Sequence, residues 1–215
     1  MKNFLVIGLG RFGEHLSRRL AELGNDVMVV DENEEVISRI AGAVTCAQIG
    51  DCKNEEVLRS LSVNGFDICF VCIGSDFQSS LEITSLLKEM GARRVISKAS
   101  TRIQEKFLLR NGADAVIFPE KDLAYKLAVQ YSGHNIFDYH QISDNIAVYE
   151  VAVVRSWIGK SIREVDVRKA HNINILAIKR EGAVLLAGPE IIFAEDDHLL
   201  VLGDGENIGR LTKNT

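Results

Sequence analysis

No stretch of this chain is long and apolar enough to cross a bilayer. The richest runs are Ile68 to Ile73 and Ile146 to Val154, and the second is interrupted by Glu150. A spanning helix needs about twenty such residues, so any link to a membrane has to run through a partner. Positive charge is not in excess either: 25 Lys and Arg against 30 Asp and Glu leave a net charge of −5. That argues against a nucleic-acid surface. No secretory leader is expected, because Lys2 is followed at once by a strand pattern and a glycine loop. Metal-ligand spacings such as HxxxH are missing, since His15, His134, His140, His171 and His198 are scattered. No Ser/His/Asp or Cys/His set stands out. The paired acids Glu34-Glu35, Glu55-Glu56 and Asp196-Asp197 read as solvated helix starts or turns.

Cysteine is sparse, at four residues: Cys46, Cys52, Cys69 and Cys72. Cys69 and Cys72 have CxxC spacing but fall in an apolar strand pattern, where residues three apart point to opposite faces. They are expected to be small buried hydrophobes, which fits a reducing compartment.

The chain is organised around Asn3 to Gly13. The apolar run Phe4-Leu5-Val6-Ile7 ends in Gly8-Leu9-Gly10-Arg11-Phe12-Gly13, and a helical pattern with Leu16, Leu20 and Leu23 follows. In a strand–turn–helix each glycine has a job: Gly8 makes the sharp turn, Gly10 lets a pyrophosphate approach the backbone, and Gly13 lets the helix pack against the strand. The helix N-terminus offers free N–H groups and partial positive charge to phosphate. Val27 to Val30 is a second apolar run, and it ends in Asp31, eighteen residues beyond Gly13. A carboxylate there accepts hydrogen bonds from ribose hydroxyls and repels a 2′-phosphate.

Strand and helix patterns then alternate. Strands are expected at Ala43–Ile49, Asp67–Ile73, Arg93–Ala99 and Ala115–Phe118, and helices at Asn54–Leu61, Phe77–Met90, Arg102–Asn111 and Pro119–Ser132. This rhythm predicts an α/β, Rossmann-like doubly wound parallel sheet. Such sheets take ligands at the carboxyl ends of their strands. The candidates are therefore Gly8 to Gly13, Asp31 and Glu32, Gly50 and Asp51, Ile73 to Ser75, Lys98 and Glu120. Some have two readings. Arg11 can bond a terminal phosphate or be a solvated loop residue. Lys98 can neutralise phosphate or simply end a strand. Asp51 can touch adenine or ribose, or cap the next helix with Asn54. Glu120 lies in a first helical turn, which favours a carboxylate in any case.

The pattern breaks near Ser132-Gly133-His134-Asn135, and the stretch to Asn145 reads as polar and irregular. We place the joint there, with domains at 1–134 and 135–215. The second is expected to be a small α+β domain. Its strands are expected at Ala147–Val154, Ile173–Lys179, Ala183–Leu186, Ile191–Phe193 and His198–Leu202, with short helices within Ile158–Lys169 and at Glu206–Leu211. A hairpin turn falls at Glu181-Gly182. A core this small is marginal alone, so pairing with a second copy is expected.

Taken together, the glycine loop with Arg11, Asp31, Gly50-Asp51, Ile73-Gly74, Lys98, Asn111-Gly112-Ala113-Asp114, Phe118-Pro119-Glu120-Lys121-Asp122 and Ile175 to Arg180 resemble one family. It comprises the regulatory subunits of bacterial Ktr-type potassium-uptake systems, built from RCK (TrkA-type) domains. The resemblance implies ATP or ADP at the first domain, with NAD(H) as a further cofactor. Arg11 would reach the terminal phosphate, and Glu120 would help hold a divalent or monovalent cation between subunits. It also implies dimers assembling into an octameric ring beneath a membrane potassium-translocating subunit, at the cytoplasmic face, without catalysis. In some members the small domain takes cyclic di-AMP, and Asp166 and Arg168 fall in that region. Lys169-Ala170-His171-Asn172 departs from the commoner pattern there. GxGxxG with Asp31 also fits a small NAD-dependent oxidoreductase or redox sensor. Against that reading stand the missing acid–base set, the small second domain and Arg11.

Overall fold

The structure, a computed structural model, describes residues 1–133 and 135–213. The chain forms two compact units, Met1–Lys121 and Asp122–Thr215. In the first unit the strands are β1 (Asn3–Ile7), β2 (Asp26–Asp31), β3 (Cys46–Ile49), β4 (Ile68–Val71), β5 (Val95–Lys98) and β6 (Ala115–Ile117). The helices between them are α1 (Arg11–Glu22), α2 (Glu34–Ile40), α3 (Glu55–Ser60), α4 (Phe77–Glu89) and α5 (Arg102–Arg110), and α6 (Pro119–Ser132) leads out. The strands pair in the order β3-β2-β1-β4-β5-β6, every neighbour parallel. The chain winds outward from β1 to β3, then crosses back to β4. The crevice above β1 and β4 is thus the topological switch point, where doubly wound sheets bind ligands.

The strands are apolar because helices cover both faces. Successive β1 residues go to opposite sides: Leu5 and Ile7 join one cluster with Val30, Cys69 and Val71, while Phe4 and Val6 join another with Val27, Val29 and Cys72. Cys69 and Cys72 therefore lie on opposite faces of the sheet, both as free thiols. Burial pushes each thiol up to about 12, so neither offers a thiolate near neutral pH.

The second unit holds β7 (Ile136–Gln141), β8 (Ala147–Ala152), α7 (Ile162–Val165), α8 (Val167–His171), β9 (Asn174–Arg180), β10 (Ala183–Leu186), β11 (His198–Gly203) and α9 (Gly205–Thr212). Its sheet is antiparallel, in the order β10-β9-β11-β8-β7. Tyr149, Val151, Trp157, Ile178, Phe193, Leu199, Val201 and Ile208 are buried together in its core. Glu181 and Gly182 carry the positive φ angles (49° and 81°) of the expected tight hairpin.

Three expectations are revised. Helix α6 matches its expected range, but the division between units falls at Lys121/Asp122. The body of α6 belongs to the second unit: Val129 packs on that unit's core, and Lys126 Nζ meets Asp138 Oδ1 at 2.8 Å. The joint expected at Ser132 to Asn135 includes His134, which lies outside the described residues. The stretch expected to be irregular contains strand β7. The brief strand expected at Ile191–Phe193 is reduced to an isolated bridge between Ser161 and Ile192. There the Ile192 carbonyl accepts from Arg180 Nη2 at 2.8 Å. The same guanidinium binds both oxygens of buried Asp197, at 2.7 and 2.8 Å, and the Ala194 N–H donates to that carboxylate at 2.8 Å.

Candidate functional site

The glycine loop joins β1 to α1 under tight steric control. Gly8 has φ +88°, and a Cβ there would stand 2.8 Å from Ile73 Cγ1. Its N–H donates to the Val30 carbonyl at 3.0 Å, tying the turn to β2. A Cβ on Gly13 would fall 2.1 Å from the Gly8 carbonyl oxygen, so only glycine lets α1 approach this closely. Gly10 is different: nothing lies within 4 Å of where its Cβ would stand. Gly10 is also the N-cap of α1, and no side chain caps the helix there. The first-turn N–H groups face open space, an arrangement suited to an anion.

Asp31 ends β2 beside this loop. Its Oδ2 accepts the Leu9 N–H at 2.6 Å and its Oδ1 the Asn33 N–H at 2.9 Å. The carboxylate thus fixes the glycine loop and the turn into α2. Each oxygen keeps a second lone pair for a ribose hydroxyl.

A cleft of about 360 Å³ opens over the switch point. Gly8, Leu9, Gly10, Asp31, Glu32, Gly50, Asp51, Ile73 and Gly74 all line it. Arg11, Phe12, Gly13, Lys98 and Glu120 do not. Phe12 packs into the core on one sheet face, and Gly13 is buried against the loop. Arg11 is the exposed first residue of α1. Lys98 Nζ would come within 3.4 Å of a Cβ on Gly74, placing its charge behind the cleft wall. It is bonded to Glu120 Oε1 at 2.5 Å. The Lys98 hydrogen bond and Glu120's own backbone N–H hold that carboxyl below the usual range.

Of the two readings of Asp51, the helix cap falls to Asn54, while its place in the cleft wall is compatible with contact to adenine or ribose. Asp51 lines the cleft and accepts the Lys53 N–H at 3.0 Å, while Asn54 caps α3 by accepting the Glu56 N–H at 2.9 Å. Sequence reasoning missed four polar lining residues: Asn33, Lys53, Asp76 and Ser79. Asn33 caps α2, and Asp76 caps α4 through the Ser79 N–H at 3.1 Å. Both are N-cap types directly ahead of a helical pattern, a legible signal. Cys52 also lines the cleft, its thiol pushed up to about 12, chiefly by burial and then by Asp51 and Asp31.

In the second unit Asp166 and Arg168 line one depression of about 440 Å³, with Ile162, Ile175 and Pro189. Asp166 is held in the left-handed region, φ 44°, where α7 gives way to α8. Among the described residues no group of three or more His, Cys, Asp or Glu could hold a metal ion. Among the described residues Glu120 therefore belongs to no such group. No helix of the described residues is long and apolar enough to cross a membrane.

A sheet of this order, with a glycine-looped cleft at its switch point, defines a Rossmann-type domain. The TrkA-N domain family matches residues 4–119 and the TrkA-C domain family residues 148–215. The Ktr system potassium uptake protein A of Bacillus subtilis (strain 168) is 38% identical over 210 residues, spanning 97% of this chain and 95% of that protein. Protein C of the same system and organism is 36% identical over 214 residues, spanning 99% and 96%. The chain belongs to the family of the Ktr system potassium uptake proteins. Among solved structures, a GsuK channel bound to NAD shares the fold, with a TM-score of 0.67 at 17% identity. The alignment covers 99% of this chain but only 39% of the channel chain.

Proposed function

We propose that this protein is a regulatory subunit without catalysis of its own, which senses an adenine nucleotide and controls a membrane potassium-translocating partner. The observation that carries this is the open space over Gly10 at the uncapped start of α1, beside Asp31. The relatives are potassium uptake proteins, and a channel of the same fold is named as bound to NAD, which supports a nucleotide in the cleft. The cleft's carboxylates support a binding role: Asp31 holds two loops, Asp76 caps α4, and Asp51 is tied to Lys53.

The phosphates would lie at Gly10, the ribose at Asp31 and the base toward Gly50–Lys53, which is the order of strands β1, β2 and β3. ATP and ADP are the proposed ligands, with NAD(H) as the competitor. Arg11, exposed at the helix start, would reach the terminal phosphate of a nucleotide held by its own chain or by a neighbouring copy. Copies would assemble through apolar side chains left exposed, such as Ile103 and Phe107 on α5, forming dimers and an octameric ring. A cation at Glu120 would draw its other ligands from phosphates and from a second copy. Cyclic di-AMP would lie at the depression holding Asp166 and Arg168. A ligand moves such a ring only by its difference in affinity for the two shapes.

Arg11→Ala is expected to reduce the preference for ATP over ADP about tenfold, the loss of one charge-assisted contact. Binding through Asp31 should stay largely intact. Calorimetric titration of both nucleotides checks this, and an unchanged ATP-to-ADP ratio would count against the role.

A further inference from the structure

The wall of the cleft is acidic. Asp31, Glu32, Asp51 and Asp76 line it, and Lys53 is the one cation among the described residues that do so. Lys53 is already drawn to Asp51, its Nζ 3.7 Å from Oδ2. A chain of phosphates held at Gly10 therefore needs positive charge from behind the wall.

Lys98 stands behind Gly74. Gly74 lines the cleft on the β4–α4 loop, and its φ lies outside the left-handed region, so the turn itself does not require glycine. What the missing side chain leaves clear is the space in front of Lys98. Apart from Gly74's chain neighbours, the heavy atoms within 4 Å of a Cβ there are Lys98 Nζ, at 3.4 Å, and Cε, at 4.0 Å. The charge is also felt inside the cleft. Cys72 lines it; burial raises the Cys72 thiol, and the Lys98 charge works against that rise.

The ion pair that Lys98 makes is unequal. Its Nζ lies 2.5 Å from Glu120 Oε1, but the lysine side chain is 12% exposed and the glutamate 69%. An ammonium so sheltered must keep an anion beside it, whereas a carboxylate in water loses little by letting go. Lys98 can thus change anions without being stranded. Two anions on one ammonium repel each other, so a phosphate gained weakens the hold on the carboxylate.

We infer that Lys98 exchanges partners through the gap at Gly74, leaving Glu120 for the phosphate chain of a bound nucleotide and releasing that carboxylate at the exposed start of α6. The exchange rests on the nucleotide reading of the cleft and adds a form of regulation to it. Occupancy of the cleft becomes a change of charge at the second residue of α6.

The test is calorimetric titration of the full chain with ATP and with adenosine, in tetramethylammonium buffer with EDTA, so that no small cation takes the place of Lys98. Lys98→Gln should weaken ATP about tenfold, the loss of one charge-assisted contact, and leave adenosine unchanged. Glu120→Gln, at an exposed position, removes the competing anion and should tighten ATP about threefold. In a chain already carrying Lys98→Gln, adding Glu120→Gln should leave ATP affinity as it is. Three results would overturn the exchange while the nucleotide reading stands: an unchanged ATP affinity in Lys98→Gln, a Glu120→Gln chain that binds ATP no more tightly than the parent, or the same Glu120→Gln shift with and without Lys98. A parent that binds neither ATP nor adenosine would overturn both.

Discussion

Gly13→Ala is expected to destabilise the first unit by about 3 kcal/mol or more, at the upper end for overpacking. The added methyl would sit 2.1 Å from the Gly8 carbonyl oxygen and 3.1 Å from Cys72 Cβ. Neither can yield. The carbonyl belongs to a turn fixed by the Gly8 N–H bond to Val30, and Cys72 is part of the core beneath. The helix must therefore lift away from β1, and the Ser17 hydroxyl, which bonds the Gly13 carbonyl at 2.8 Å, lifts with it. Hydrogen exchange of the β1 and β2 amides should accelerate by about two orders of magnitude, since 3 kcal/mol is roughly a factor of 100 or more. Protection equal to the parent's would mean that the loop adapts without cost.

Asp197→Ala is expected to cost the second unit about 3–5 kcal/mol, the range for breaking a buried ion pair by removing one partner. Asp197 is fully buried, while the Arg180 side chain is one-third exposed. The substitution strands the Ala194 N–H and frees Arg180 from the bridge it makes between β9 and the segment before β11. Burial pushes the Asp197 carboxyl up, but Arg180 and the Ala194 N–H outweigh it and leave it below the usual range. A carboxyl depressed in the folded state contributes stability that is present above its unfolded value, about 3.9. That stability is lost as pH falls through the folded value. The parent should thus lose more stability on going from neutral to acid pH than Asp197→Ala does. The one tryptophan, Trp157, is buried in this unit, so its fluorescence follows the transition. Parallel pH profiles would contradict this account of Asp197.

The fold of the first unit is more legible in its residues than that of the second. The six parallel strands could be read because both faces are covered, which makes β1 and β4 nearly pure apolar runs. Strand β7 escaped because its sequence, IFDYHQ, is half polar. Its register also shifts between Ile136 and Asp138, which spoils the alternation a strand is recognised by. Ile191–Phe193 looked like a strand from composition, but only Phe193 is buried while Ile192 is exposed. The Arg180 guanidinium bonds the Ile192 carbonyl, and a side-chain partner of that kind cannot be read from a pattern of apolar residues.

At the site, the loop glycines and Asp31 were legible because their spacing is set by one strand–turn–helix. Lys53 and Asp76 were not, because they come from the loops after β3 and β4, and only the sheet order brings those loops to the same crevice. Lys98 was expected there from its place at a strand end. Its amine instead turns to Glu120, a choice fixed by where α6 begins. Arg11 keeps its place at the helix start yet stays outside the cleft wall, so the role proposed for it is contact with a terminal phosphate rather than with the pocket floor.

We propose that the space above Gly10 exists for phosphate. Gly10 has φ −60° and ψ 178°, angles open to any residue, and nothing lies within 4 Å of its would-be Cβ. Gly10→Ala should therefore fold with unchanged stability. The decisive measurement is calorimetric titration of Gly10→Ala and the parent with ATP, ADP and NADH, alongside thermal unfolding of both. The account predicts an unaltered unfolding curve with at least one nucleotide bound by the parent and weakened about 100-fold by the methyl, a loss of about 2.7 kcal/mol. Equal affinity in the two proteins, or a parent that binds none of the three, would contradict it.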